Sequence, residues 1–230
     1  MASPSTPEAA ARRRVFSVFL TQGLAGFVVV ALMTILRFRD IPLIIERLGP
    51  AAPLLILIFF AFALMLSLVK YELTNVIYVS LGITAYMAML PLLGLVITAW
   101  LAVVVAIGSR LLAMAKIGPV TISMDDPPLE LVKAFGLFGT YGIPVVAAGA
   151  LYERLGGEIP TMTATPIVAA KIAVAGIAMI FMNELLMYRP MKSYGYDSEK
   201  ITQLYFADAS IYILSVPYAV VLALAYGEIG

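Results

Sequence analysis

Residues 70–91 read KYELTNVIYVSLGITAYMAMLP, and the fold depends on how they are interpreted. The first half reads like a surface strand. Tyr71, Leu73, Val76, Tyr78 and Leu81 stand among Lys70, Glu72, Thr74 and Asn75, a mixture typical of a half-buried strand. The second half runs on, without a charge, into LLGLVITAWLAVVVAIGS. Pro91 and Gly94 punctuate that run as a tight turn. We therefore expect a short third apolar span from Val76 to about Leu90, then a turn, then a fourth span from Leu92 to about Met114.

The rest of the chain has the same character. Of 230 residues, 62% are hydrophobic and 13% charged, and mean hydropathy is +1.00. Soluble domains are about 45–50% apolar and about 25% charged, so the apolar surface here needs lipid as its solvent. Net charge is +1. With no basic patch and no RNA-binding signature, nucleic acid is excluded as a partner. Cysteine and histidine are both absent. This removes thiolate and imidazole chemistry, the usual zinc sites and His-ligated haem. No cofactor is expected.

A helix needs about 20 residues to cross a ~30 Å hydrocarbon core. Besides the third and fourth spans, five runs qualify: Val15–Leu36, Ala51–Val69, Leu129–Leu155, Thr165–Met187 and about Gln203–Tyr226. Membrane strands would alternate over about ten residues, and these runs are continuous. The expected fold is all-α: a polytopic transmembrane helix bundle of about seven spans. It comprises a 1–14 tail, a 15–226 helical domain and a 227–230 end. The first run is too long for the 7–15-residue core of a signal peptide.

With seven spans, Arg12, Arg13, Arg14, Lys70, Arg110, Lys116, Lys133, Arg189, Lys192 and Lys200 fall on one side. Arg37, Arg39, Arg47 and Arg154 fall on the other. The positive-inside rule then places the N-terminus in the cytoplasm, and the expected location is the inner (cytoplasmic) membrane of the cell. The loop RFRDIPLIIERLGP breaks the bias with three arginines, and its apolar centre predicts a short interfacial helix. The last span then ends outside. That suggests a module separated from a downstream effector domain, or a subunit working with a membrane partner or as a homo-oligomer.

Polar residues inside the spans are the candidate ligand contacts, because lipid-facing acids are rare. Tyr205, Asp208 and Tyr212 recur at i, i+3 and i+7, and Ser215 follows on the same stripe. They form either hydrogen-bonding contacts between helices or a pocket. Asn183 and Glu184 end the sixth span on the Asp208 side, where Arg189 and Lys192 suggest a charged rim. Lys171 lies early in the sixth span. It snorkels to the interface, contacts a ligand or counter-ion, or forms a buried structural pair, with Glu153 or Glu158 as candidate partner. Gly136, Gly139, Gly142 and Pro144 predict close helix approach or a kink in the fifth span, letting Tyr141 and Thr140 reach a cavity.

Motifs of catalysis are missing. There is no phosphate-binding G-x-x-x-x-G-K-[ST] loop and no G-x-S-x-G elbow. Asp125 and Asp126, followed by Pro127 and Pro128, read as a turn and helix start. A retinal Schiff base is disfavoured because Lys171 lies in the sixth span and Trp100 is the only tryptophan.

From Ala51 to Tyr226 the order of these segments resembles a known pattern. Val76, Tyr78, Val79, Ser80, Leu81, Gly82 and Ala85, followed by Pro91, Leu92 and Gly94, resemble a span-linking segment and its helical hairpin. The family is the N-terminal membrane domain of bacterial signalling proteins that carry a GGDEF or HD-GYP domain. Tyr152, Leu155, Gly156 and Gly157 are similar to the turn closing the family's next helix, and Asn183 to the asparagine of the one after. The effector domain and return span of that family have no counterpart here. What the resemblance implies is therefore a non-catalytic sensor or anchor module, with re-entrant or interfacial backbone at the polar lead-in. The arrangement is also similar to substrate-capture subunits of vitamin transporters. A small-molecule transporter or its binding subunit, and an accessory subunit of a larger complex, stand as alternatives.

Overall fold

The computed structural model describes residues 7–68, 70–74, 77–80, 82–115, 126–161 and 163–229. Helix α1 spans Pro7–Leu36, α2 Asp40–Leu48 and α3 Ala52–Leu68, with a single 3₁₀ turn at Gly49–Ala51 before α3. Strands β1 (Lys70–Thr74) and β2 (Ile77–Ser80) follow, then α4 (Gly82–Met114) and α5 (Pro127–Leu137). A π-helical segment, Phe138–Gly142, joins α5 to α6 (Ile143–Arg154). Helices α7 (Pro166–Ser193) and α8 (Ser198–Ile229) complete the chain. The expected transmembrane helix bundle is what folds. Among the described residues, six helical stretches are long and apolar enough to cross a membrane.

One of the six folds back on itself. Within α4, Gly94 has φ +73° and ψ 170°, a backbone region open essentially only to glycine. Tyr86 Oη donates to the carbonyl oxygen of Ala102 at 3.4 Å across sixteen residues. Along a continuous helix those positions lie about 24 Å apart. The two arms of α4, residues 82–93 and 95–114, are therefore antiparallel. The second arm is about 30 Å long and the first about 18 Å, too short for a full crossing of ~30 Å. The tight turn expected at Pro91 and Gly94 is present, so the bundle has seven legs, one of them a half-helix.

The start of that half-helix differs from expectation. The segment 77–80 pairs antiparallel with 70–74, with Lys70 opposite Ser80 and Glu72 opposite Tyr78. Helix therefore begins at Gly82, not at Val76. A Cβ on Gly82 would sit 2.4 Å from Ser67 Oγ, so the half-helix starts against the last turn of α3.

Contacts between legs fix the two ends of the bundle. At one end Arg12 pairs with Asp126 and Arg110 with Glu130. At the other, Arg37 pairs with Glu153, Lys171 Nζ donates to Gly156 O at 2.7 Å, and Thr161 N donates to Pro91 O at 2.9 Å. The α4 turn belongs to this second end, where Gly94 faces Ile44 and Ile159.

The half-helix is the core of the molecule. Every residue from Gly82 to Val96 is buried, surrounded by α3, α6 and α8. The outer faces are apolar instead: Phe206 and Leu214 are each 73% exposed, as lipid-facing side chains are. The expected interfacial helix is α2, of which only Leu48 is buried. Close helix approach at the fifth-span glycines also occurs. A Cβ on Gly139 would sit 2.4 Å from Gln22 O, and one on Gly26 2.2 Å from Gly139 N. Pro144 opens α6 immediately after the π turn. Proline carries no N–H to donate, and a π turn is one way a helix absorbs the break.

Candidate functional site

The two irregular segments, the half-helix and the π turn, deliver side chains to one place. Tyr86 from the half-helix and Tyr141 from the π turn meet edge to face, with ring centroids 5.9 Å apart at 79°. Tyr86 also reaches Ser67. On α8, Tyr212 is 5% exposed and lies within electrostatic reach of both these tyrosines and of Asp208 and Glu184. Next to it, Ser215 Oγ accepts from Thr84 Oγ1 at 2.8 Å and donates to Tyr212 O at 2.7 Å.

Below the tyrosines, α7 contributes Asn183 and Glu184, 6% and 7% exposed. The Glu184 carboxyl lies beside Asp208 on α8 and Asn183, with Tyr205 close by. The helical stripe expected on α8 therefore faces the interior, and it meets α7. The charged-rim expectation is revised. Glu184 is buried because α7 runs nine positions further, through Pro190 to Ser193, which carries the exposed Arg189 away from it. Among the described residues, neither Glu184 nor Asp208 forms an ion pair with a lysine or arginine.

Of the eight sequence candidates, seven gather here: Tyr141, Asn183, Glu184, Tyr205, Asp208, Tyr212 and Ser215. Lys171 does not. It sits at the other end and satisfies the carbonyl of Gly156, a residue at φ +72°. Its expected acidic partner Glu153 pairs with Arg37 instead.

Concavities also border the bundle. At the Gly94 end, Arg37, Asp40, Arg47, Glu153 and Ile159 line a cavity of about 360 Å³. Arg37 donates to Asp40 Oδ2 at 3.0 Å and to Glu153, and Arg47 donates to Ile159 O at 3.1 Å. The hydrogen bond to Asp40, with Glu153 beside it, holds the Arg37 guanidinium above its ordinary range. Sequence reasoning missed this cavity. Its signal was the three arginines that violate the charge bias in the first loop. Toward lipid, Phe62, Leu66, Thr84, Leu214, Ser215 and Tyr218 line an apolar groove of about 510 Å³. Its polar lining includes the Thr84 and Ser215 hydroxyls.

Asn, Glu, Asp and Tyr oxygens can bind cations or hydrogen-bond donors. Among the described residues no group of three metal-ligating acids, histidines or cysteines occurs. Comparison with protein-family models, curated proteins and solved structures gives no significant match.

Proposed function

We propose that the chain is a non-catalytic membrane sensor module, which binds its signal inside the bundle and passes it on through the half-helix. The observation that carries this reading is the convergence of Tyr86, Tyr141 and Tyr212 beside the Glu184–Asp208 pair. Intramembrane acids are costly and mark functional positions, and π turns recur at such sites. The half-helix contacts the cluster directly and ends in the Gly94 turn, at the opposite end of the molecule. A signal needs an element with two arrangements that ligand binds unequally, and this arm is the best placed. The resemblance to sensor domains of bacterial cyclic-dinucleotide signalling proteins supports the same reading. So does the ten-to-four distribution of basic residues, which favours an inner-membrane protein with the N-terminal side in the cytoplasm.

A transporter or its substrate-binding subunit is the second reading, favoured by the charged cavity at the Gly94 end.

Spin-label distances separate the readings. The chain has no native cysteine, so labels at Val104→Cys and Leu214→Cys, both exposed, report on α4 against α8, the second arm being tied to the half-helix by the Tyr86–Ala102 contact. A sensor gives two distance populations, whose ratio Asp208→Asn shifts. A single unshifted distance indicates an accessory subunit. Solute flux in proteoliposomes indicates a transporter.

A further inference from the structure

Five buried side-chain oxygens lie together without a hydrogen-bond partner: Asn183 Oδ1, Glu184 Oε1 and Oε2, Tyr205 Oη and Asp208 Oδ1. Each is closed to a water-sized probe. Buried polar atoms are normally satisfied, and buried carboxylates require a compensating charge. Asn183 is the informative member. Its amide is neutral and more than nine-tenths buried, and it contacts Glu184. An unsatisfied amide oxygen beside two carboxyl groups is not explained by charge alone.

We propose that Asn183, Glu184, Tyr205 and Asp208 form an intramembrane site for a hard metal cation. Carboxylate, amide and hydroxyl oxygens are the ligands hard cations take. The absence of nitrogen and sulfur ligands disfavours soft metals. A shared proton would join one pair of carboxyl oxygens and leave Asn183 Oδ1 unsatisfied, whereas a metal ion engages several oxygens at once. Two carboxylates balance a divalent ion by charge. A monovalent ion would use the same ligands and leave one negative charge. Because the oxygens are enclosed, an organic ammonium would have to part α7 from α8, so the smaller bare ion is the ligand class proposed. Binding would draw α7 and α8 together beneath the half-helix, so the inference rests on the sensor reading and names its ligand class.

The test is equilibrium binding of calcium-45 and sodium-22 to the full chain in lipid nanodiscs at pH 8, with choline as the inert cation. The expected result is saturable binding of one of the two ions, one per chain. Asp208→Asn weakens it at least tenfold and Tyr205→Phe severalfold, while Asp126→Asn at the bundle end leaves it unchanged. If Asp208→Asn fails to fold, Tyr205→Phe decides, since it removes one hydroxyl and keeps the ring. Absence of saturable binding of either ion, or binding equal in all variants, overturns the site and leaves a proton-sharing acid pair. Two distance populations in the labelled protein without ion binding would overturn the cation and keep the sensor reading. One population with ion binding would do the reverse.

Discussion

The Tyr86 hydroxyl donates to the Ala102 carbonyl at 3.4 Å although sixteen residues separate them. This contact makes α4 a hairpin, and the hairpin sets the topology. With seven legs, the start of α1 and the far end of α8 lie on opposite faces. Were α4 one straight helix, they would share a face. Single cysteines at Glu8 and Ala225, labelled with a membrane-impermeant maleimide, should react from opposite sides of oriented vesicles. Reaction from the same side would show that the two arms are not antiparallel.

Gly94 carries the turn between the arms. At φ +73° and ψ 170°, a side chain is strained by about 1–3 kcal/mol, and its Cβ would press to 2.9 Å from Ile44 Cδ1. Gly94→Ala should lower stability by about that amount in a urea or detergent titration. Gly108 has open space around it, so Gly108→Ala should be neutral or slightly stabilising, as alanine is the better helix former. Equal effects would mean that Gly94 is not under conformational constraint.

Much of this was legible in residue order, and the remainder had specific physical causes. Pro91 and Gly94 announced the turn, and the Tyr205–Asp208–Tyr212 spacing announced an inward stripe. The start of the half-helix was misplaced because the strand-like Ile77–Ser80 adjoins a long apolar run, and hydropathy alone extends the span back over it. Pairing with Lys70–Thr74 decided it. Glu184 reads as a rim residue because its depth depends on where α7 stops, and the expected span ends at Met187. The helix continues to Ser193, leaving Glu184 about 13 Å inside its end. Pairs such as Arg37–Glu153, separated by 116 positions, leave no local trace.

Helix α1 packs on the π turn through glycines, and the contact there is with backbone. A Cβ at Gly139 would meet both Gln22 O and Gln22 Cγ at 2.4 Å, and backbone cannot rotate away. Gly139→Ala should cost about 1–3 kcal/mol as an overpacking change and break the 2.9 Å bond from Gln22 Nε2 to Thr140 Oγ1. Gln22→Ala alone should cost less. A thermal-shift comparison in one detergent checks the order, and the reverse order would put the hydrogen bond ahead of the packing.

At the N-terminal end of the bundle, Arg12 donates twice to Asp126, once at 2.7 Å from Nη2 to Oδ1. Asp126 also caps α5 by accepting from Leu129 N. The Arg12 hydrogen bond holds the Asp126 carboxyl below its ordinary range. A depressed folded-state value means the contribution is complete above the unfolded value of about 3.9. It is lost as pH falls through the lower folded one. The pair is solvent-exposed and screened, so the effect is local. The protection of the Leu129 amide relative to its intrinsic exchange rate should fall below about pH 4, and Asp126→Asn should remove that acid dependence. Protection that falls equally in the variant would assign it to another carboxylate.

Thr84 on the half-helix and Ser215 on α8 share a 2.8 Å hydrogen bond at the floor of the lipid-facing groove. It joins the arm that would relay a signal to the helix that carries Asp208. Hydrogen bonds between membrane helices couple by about 0.6 kcal/mol on average and about 1.7 at most. A double-mutant cycle of Thr84→Val and Ser215→Ala should return a coupling in that range. If the arm moves relative to α8, the bond belongs to one arrangement only, so each single substitution should also shift the ratio of the two spin-label distances. Coupling in stability with no shift in the distances would mean that Thr84 and Ser215 tie the arm to α8 in both arrangements, and the relay would have to run through Tyr86 and Tyr141.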